Sequence, residues 1–504
     1  MKTIFLFLAV LSNLYSQGFP GKYWLYLDDF NRPNGATIYF NDNAFQGVES
    51  LMIDVHFKSK FLNAVSATIP NRETYDVLKS HPNIIEISHV GEVSDQRVFL
   101  PNRFLTKNPL PSAYGYSDNQ LHLLHIVDAH ENGFTGKGMR IAVFDAGFYT
   151  QHPAFSHLNL IKTYDFVDLE DDVYKAGARH GTATLSLLAA YDDSLFIGAA
   201  YDASFLLART EDIYSESPAE EDNWIAALEW ADSIGVDIIS SSLNYFEFDD
   251  ASQNYSLDDL DGETAAITRA TNVAASRGIL VVNSMGNEGT TNYEASTLWS
   301  PADGKHVLSV GAIDFNGVTP SWSSLGPSAD GRIKPNVVGP GVGVSIANEI
   351  DGYSLGNGTS YATPLIAGAA ALVWEANRQL TPDELIVMLQ NESNNAATPN
   401  NSVGWGLPNI ENLVNNQETR FLLRIFPNPA HQLNFSIELQ RPWGSEVQSI
   451  DVYNILGQHV ASEMTLLNSK QFHIKILNDI ATGIYFIRVE TILGNVLGKI
   501  VYIK

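Results

Sequence analysis

The chain has no cysteine in 504 residues. That excludes disulfides, zinc–thiolate centres, cysteine nucleophiles and acylation of a lipoprotein cysteine. Positive charge is scarce: 30 Lys and Arg stand against 57 Asp and Glu, a formal net charge of −27. A surface that acidic repels phosphate backbones, so no nucleic-acid partner is expected, whereas carboxylate oxygens suit hard cations such as calcium. No stretch reaches the roughly 18 uninterrupted apolar residues of a membrane span, so none is expected. Repeats and low-complexity tracts are also missing. The apolar run Ile4 to Leu11 in MKTIFLFLAVLSNLYSQ is too short for a bilayer. With Lys2 before it and small polar residues after it, residues 1–16 have the layout of a secretory signal, cut after Ser16.

Hydrophobic residues make up 45% of the chain, enough for globular cores, and the length predicts about three domains. Residues 17–112 read as a small α+β domain. YWLYLDD and IIEISHV have strand character, and NRETYDVLKSHPN reads as a helix capped by Asn71 and closed before Pro82. The Pro-rich stretch that follows reads as a linker open to cleavage, expected within 103–117. From 113 to 416 apolar strands (MRIAVFDA, SFLLART, VDIISSSL, ILVVNSMGN, VLSVGAI) alternate with helices (GTATLSLLAAY, AEEDNWIAALEWADSIG, GETAAITRATNVAASRG, SYATPLIAGAAALVWEAN). Continuous apolar strands between helices predict a mostly parallel sheet covered on both faces, a three-layer α/β domain. Residues 421–504 change character to short alternating strands with turn punctuation, the pattern of a small β-sandwich.

Four polar residues invite attention. Asp145 ends the strand MRIAVFDA, where open parallel sheets place their binding crevice, although a lone Asp there is most often a turn or cap residue. His180 opens the helix after it; its ordinary pKa suits general-base work, although such a His is usually a surface or capping group. Asn287 lies between glycines in SMGNEG, where an amide can donate to developing negative charge and where a plain turn Asn is common. Ser360 begins a helix of small residues in GNGTSYATPLIAG, the place of an ordinary N-cap or of a nucleophile held by free N–H groups and the helix dipole. Pro364 is expected within the first turn of that helix, where a missing N–H costs little.

Taken together, VFDAGF, RHGTATLS, SMGNEG, KPNVVGPG and GTSYATP, in that order over residues 113–416, resemble the subtilisin-like serine peptidases. The residue order Asp, His, Ser is the one known for subtilisin. The sedolisins share GTS but replace the His, so HGT argues against them. The resemblance implies a secreted serine endopeptidase acting on proteins or peptides: Ser360 attacks, His180 moves the proton, Asp145 holds the imidazole, and Asn287 with the Ser360 N–H stabilises the oxyanion. It also implies a substrate groove along 239–245 and 283–288, with Ser241, Ser242, Leu243, Met285 and Gly286 as contacts and Met285 beside the first specificity pocket. No metal or other cofactor takes part in the chemistry. Structural calcium is a family habit, with Asp165, Asp168 and the LEDD run as acidic candidates and solvated loop carboxylates as the plainer reading. The sequence departs from the family at DAG, where Ala146 lacks the usual hydroxyl, at HGTA, and at Asn336 and Gly339.

Residues 17–112 resemble the propeptide that templates and inhibits such enzymes; a permanent accessory domain is the alternative. The tail resembles the C-terminal sorting domain of the type IX secretion system through Pro427-Asn428-Pro429, Tyr453 to Gly457, Gly483-Ile484-Tyr485 and the last strand, Lys499 to Lys504. That implies export across the outer membrane of a Gram-negative cell, with the type IX machinery as a partner; an adhesion module is the alternative. Two other functions stay open: a surface-binding protein that kept the scaffold but lost turnover, and an esterase using the same residues.

Overall fold

The structure is a computed structural model that describes residues 21–27, 53–90, 103–104, 112–214, 216–289, 296–348, 350–415, 423–439, 447–455, 457–468, 471–491 and 494–504. The secretory signal and most of the linker lie outside the described residues. The chain forms two compact units, residues 1–414 and 415–504.

The first unit opens with strands β1 (Gly21–Leu27), β2 (Asp54–Ser59) and β3 (Ala64–Ile69), helix α1 (Arg72–Lys79) and strand β4 (Ile84–Val90). They form an antiparallel sheet in the order β2-β3-β1-β4. Asn71 caps α1 as expected, its side chain accepting from Thr74 N at 2.9 Å. Strand alternation gives β1 two apolar faces. Tyr23, Leu25 and Leu27 pack with Tyr75 and Leu78 of α1, while Trp24 and Tyr26 enter the core of the larger domain. The short β5 (Arg103–Phe104) lies within the predicted linker.

The larger domain continues with α2 (Asp118–Leu123), α3 (Ile126–Glu131), β6 (Arg140–Asp145), β7 (Asn159–Asp165), α4 (Ala178–Ala189), the small ladder of β8 (Tyr191–Asp192) and β9 (Phe196–Ile197), and β10 (Ser204–Arg209). Then come α5 (Pro218–Ile234), β11 (Ile238–Ser241), α6 (Ala266–Ser276), β12 (Leu280–Ser284), β13 (Val307–Ile313) and β14 (Val337–Pro340). The hairpin β15 (Val342–Ala347) and β16 (Tyr353–Asn357) leads into α7 (Thr359–Ala376), followed by α8 (Pro382–Asn391) and α9 (Glu411–Asn415). Seven strands make one parallel sheet in the order β14-β13-β12-β11-β6-β10-β7. Both faces of the inner strands are covered, which is why those strands are mostly apolar; the edge strand β7 is largely exposed. Ile141 and Val143 of β6 pack on the α4 and α7 side, and Ala142 and Phe144 on the α5 and α6 side. From β6 the chain goes to the edge strand β7, comes back to β10 beside β6, and then crosses to the other flank at β11, so the direction of winding switches at β6, where a binding crevice is expected.

Asp145 ends β6 there. No helix among the described residues is long and apolar enough to cross a membrane.

Residues 423–504 are all β among the described residues. β17 (Leu423–Phe426), β18 (Asn434–Leu439), β19 (Val447–Asn454), β20 (His459–Val460), β21 (Ser462–Asn468), β22 (Gln471–Ile476), β23 (Gly483–Thr491) and β24 (Gly494–Tyr502) form two antiparallel sheets, β17-β18-β22-β21 and β20-β19-β23-β24. Phe435 and Ile476 of one sheet and Val452, Tyr485 and Ile500 of the other line a common apolar cavity, so the sheets face each other as a sandwich.

Candidate active site

Asp145 is fully buried at the carboxyl end of β6. Its Oδ1 accepts from Ala146 N at 2.8 Å and meets His180 Nδ1 at 2.8 Å. An ionised carboxylate only accepts, so Nδ1 carries the proton and Nε2 of neutral His180 is left as the acceptor. His180 lies in the first turn of α4, and Gly181 lets that turn come close. A Cβ at Gly181 would stand 2.1 Å from Gly147 O. The other carboxylate oxygen, Oδ2, accepts from Thr184 Oγ1 at 2.9 Å.

Ser360 is the second residue of α7 and 9% exposed. Its chain neighbours reach two of the other three residues. Thr359 N and Oγ1 both donate to Asn287 Oδ1, each at 3.0 Å. The Tyr361 ring lies 6.1 Å from the His180 ring. With its oxygen held by Thr359, Asn287 turns its NH₂ the other way, on a solvent-exposed residue.

Pro364 is not in the first turn, as the sequence suggested, but inside the helix, because α7 starts at Thr359. Its missing N–H is the one that would serve the carbonyl four residues earlier, Ser360 O. Ser242 Oγ donates to that oxygen instead, at 3.0 Å.

Direct contact is seen between Asp145 and His180, between Asn287 and Thr359, and between Ser242 and Ser360. The other expected groove contacts turn inward. Ser241 is fully buried, its hydroxyl accepting from Trp224 Nε1 at 3.0 Å. Leu243 packs in the apolar cluster around Trp224. Met285 is fully buried against Leu260, Leu298 and Ala302. Hence none of these three side chains lies open at the surface. Gly286 adopts φ +100°, a left-handed value that favours glycine, and its carbonyl accepts from Ser324 N at 3.1 Å.

The expected calcium candidates are served by the chain's own cations. Arg209 NH1 reaches Asp165 Oδ2 at 2.8 Å and Asp168 Oδ2 at 2.9 Å, and Lys175 pairs with Glu170. Partial loss of water at Asp168 is outweighed by Arg209 and Lys175, which hold its carboxyl below the usual range. A group not anticipated from sequence is Glu211, Glu216 and Glu220, each offering a carboxylate oxygen within 4.8 Å of the others. Tyr245 OH donates to Glu211 at 2.5 Å, and the backbone N–H groups of Asp212 and Ser217 donate to Glu220 at 3.0 and 3.2 Å. Burial and these carboxylates push the Tyr245 phenol well above its ordinary value.

Sequence reasoning also missed Thr184 and the role of Ser242. The signals were present: Thr184 is one helical turn after His180 on the same face, and a Pro four residues after Ser360 frees a carbonyl.

The chain is similar to known proteins over two stretches. The profile described as the Subtilase family matches residues 136–406, and the one described as Secretion system C-terminal sorting domain matches residues 424–504. Subtilisin NAT of Bacillus subtilis subsp. natto is 31% identical over 318 residues, covering 62% of this chain and 71% of its own. Subtilisin BL of Lederbergia lenta is 33% identical over 287 residues, 56% of this chain and 93% of its own. Among solved structures, the MycP3 protease from the type VII (ESX-3) secretion system superposes with a TM-score of 0.52 at 20% identity, over 63% of this chain and 92% of that one. That likeness concerns the fold.

Proposed function

Since the chain belongs to the subtilase family of serine endopeptidases, we propose that it hydrolyses peptide bonds through Asp145, His180 and Ser360. The observation that carries this reading is the 2.8 Å contact between buried Asp145 and His180 Nδ1, with Ser360 at the head of α7. In this reading Ser360 Oγ attacks the scissile carbonyl while His180 Nε2 takes its proton and later passes it to the leaving amine. Asp145 keeps the proton on Nδ1 and stabilises the imidazolium. Asn287 Nδ2 and the Ser360 N–H donate to the oxyanion.

The chemistry needs no cofactor. Subtilisins often bind structural calcium; the all-oxygen set Glu211, Glu216 and Glu220 would be the residues to hold such an ion.

Residues 424–504 are a type IX secretion sorting domain, which sends the protein to the cell surface or the exterior. Residues 17–112 act, in our reading, as the chain's own inhibitor. Their sheet lays Trp24, Tyr26 and Phe61 against the same core as Trp224 of α5. Arg269 of α6 donates to Glu86 through its two terminal guanidinium nitrogens at 3.0 Å each and stacks 4.3 Å from the Tyr26 ring. β5 pairs antiparallel with β16, Phe104 opposite Ser354, which sets residues 103–104 on the strand that runs into Ser360 and supports self-processing within 103–117.

A fluorophosphonate probe tests the central claim. Processed wild-type protein is expected to be labelled and Ser360→Ala to stay unlabelled and unprocessed. Absence of labelling after removal of residues 17–112 would leave a binding protein on a lapsed scaffold. Peptide and ester substrates compared side by side separate a peptidase from an esterase.

A further inference from the structure

We propose that Thr184 is a positioning residue for peptide hydrolysis, acting through Asp145. The inference rests on the triad read above. Asp145 is fully buried, so every lone pair it turns inward needs a donor or goes unpaired. Its Oδ1 is held twice, by Ala146 N and by His180 Nδ1, each at 2.8 Å. Its Oδ2 faces Thr184 Oγ1 at 2.9 Å. Ala146 is the neighbouring side chain that could have carried a hydroxyl to this carboxylate, and it has none. The donor comes from the next helix instead.

The arrangement is economical in geometry. His180 and Thr184 are four residues apart on α4, so one helical turn presents both to the same carboxylate, one oxygen each. Fixing both oxygens fixes the carboxylate plane, and with it the direction of the bond to Nδ1. Thr184 is 1% exposed, so water does not replace it readily. Its hydroxyl also stands 3.1 Å from Gly181 O. It has one hydrogen to give, and the ionised carboxylate, nearer and charged, takes it.

The test compares Thr184→Val, nearly the same shape without the donor, with Thr184→Ser, which keeps it. Folded sites are counted by burst titration with a fluorophosphonate, so the rates refer to competent enzyme only. Thr184→Val is expected to lower kcat by about tenfold to a hundredfold, the scale of a hydrogen bond to a charged group, with KM within about twofold. The acid limb of its kcat/KM profile is expected to move to higher pH. A carboxylate short of one donor holds its proton more tightly and also makes the facing imidazole more basic. Thr184→Ser is expected to restore both kcat and the limb.

A Thr184→Val enzyme with wild-type kcat and an unmoved acid limb overturns the proposal, as does an equal loss in Thr184→Ser. If Thr184→Val yields no titratable sites, the serine variant and Thr184→Ala decide by the same readouts. Full activity in Ser360→Ala would instead remove the triad reading itself, so the two failures are distinguishable.

Discussion

At Gly181 an added methyl would stand 2.1 Å from Gly147 O, 2.9 Å from a ring carbon of Phe148 and 3.0 Å from Asp145 Cβ. The nearest obstacle is backbone, which cannot swing aside as a side chain can. Gly181→Ala must therefore push α4 away from the loop after β6, and His180 moves with it. Overpacking of this kind typically costs about 1–3 kcal/mol, so a lowered unfolding midpoint is expected together with a kcat reduced by more than about tenfold, because a small misplacement weakens an aligned proton path. Wild-type kcat in a merely less stable protein would separate the close approach from the catalytic geometry. The glycine, Asp145 and His180 were legible in sequence because VFDAGF and RHGTATLS carry them as strings. Thr184 was not: a threonine on a buried helix reads as packing until a coordinate shows what its hydroxyl meets. Nor could Ser241 be told from Ser242 in a run of three serines, where one-residue alternation sends one to Trp224 and the next to Ser360 O.

Among the elements, β11 and α7 are joined by a substitution of donors. Pro364 lies in the second turn of α7 and withdraws the N–H that Ser360 O would have used, and Ser242, just past β11, supplies a hydroxyl in its place. Removing that hydroxyl leaves a largely buried carbonyl without its partner, a loss of about 1–3 kcal/mol. Ser242→Ala is therefore expected to lower the denaturation midpoint by that measure. The same change is expected to cost clearly less in a Pro364→Ala background, where the helix recovers its own N–H at 364. A double-mutant cycle in denaturant reads the coupling directly; additive effects would show that the two groups do not compensate each other. Most element boundaries could be read beforehand from end signals. Ser217 and Glu220 form a capping box at the start of α5, and Gly235 closes it with φ +84°. The start of α6 was read too early, near Gly262. Asp261 Oδ1 draws the Glu263 and Thr264 N–H groups into a turn at 2.8 Å each, which delays the helix to Ala266.

At the scale of the whole chain, the large domain followed by the tail was legible because each has its own hydrophobic period: continuous apolar strands in the large sheet, and alternation in the tail. What sequence could not show is how residues 17–112 are held, since that depends on pairs far apart in the chain. Ser59 Oγ and Phe61 N donate to Glu229 Oε1 of α5 at 2.6 and 3.1 Å. Burial pushes the Glu229 carboxyl above its ordinary value, against the opposing pull of Ser59, the Phe61 and Lys60 N–H groups and the Lys60 charge. Release of residues 17–112 would return Glu229 to water and to its ordinary value. The docked state thus binds this proton more tightly than the released state. By linkage, docking is strongest below the ordinary glutamate value and weakens as pH rises through the raised one. Glu229→Gln keeps the acceptor oxygen and has no charge to bury. It is expected to hold residues 17–112 as acidified wild type does, with a flatter pH dependence. The measurement uses enzyme that has processed itself and is then blocked at Ser360 with a fluorophosphonate, and follows the fraction of the 17–112 segment released between about pH 4 and 8. Identical release curves for wild type and Glu229→Gln would place the pH dependence elsewhere. The source would then be sought in the other charged contacts of the same face, Arg269 with Glu86 and Ser66 with Asp222.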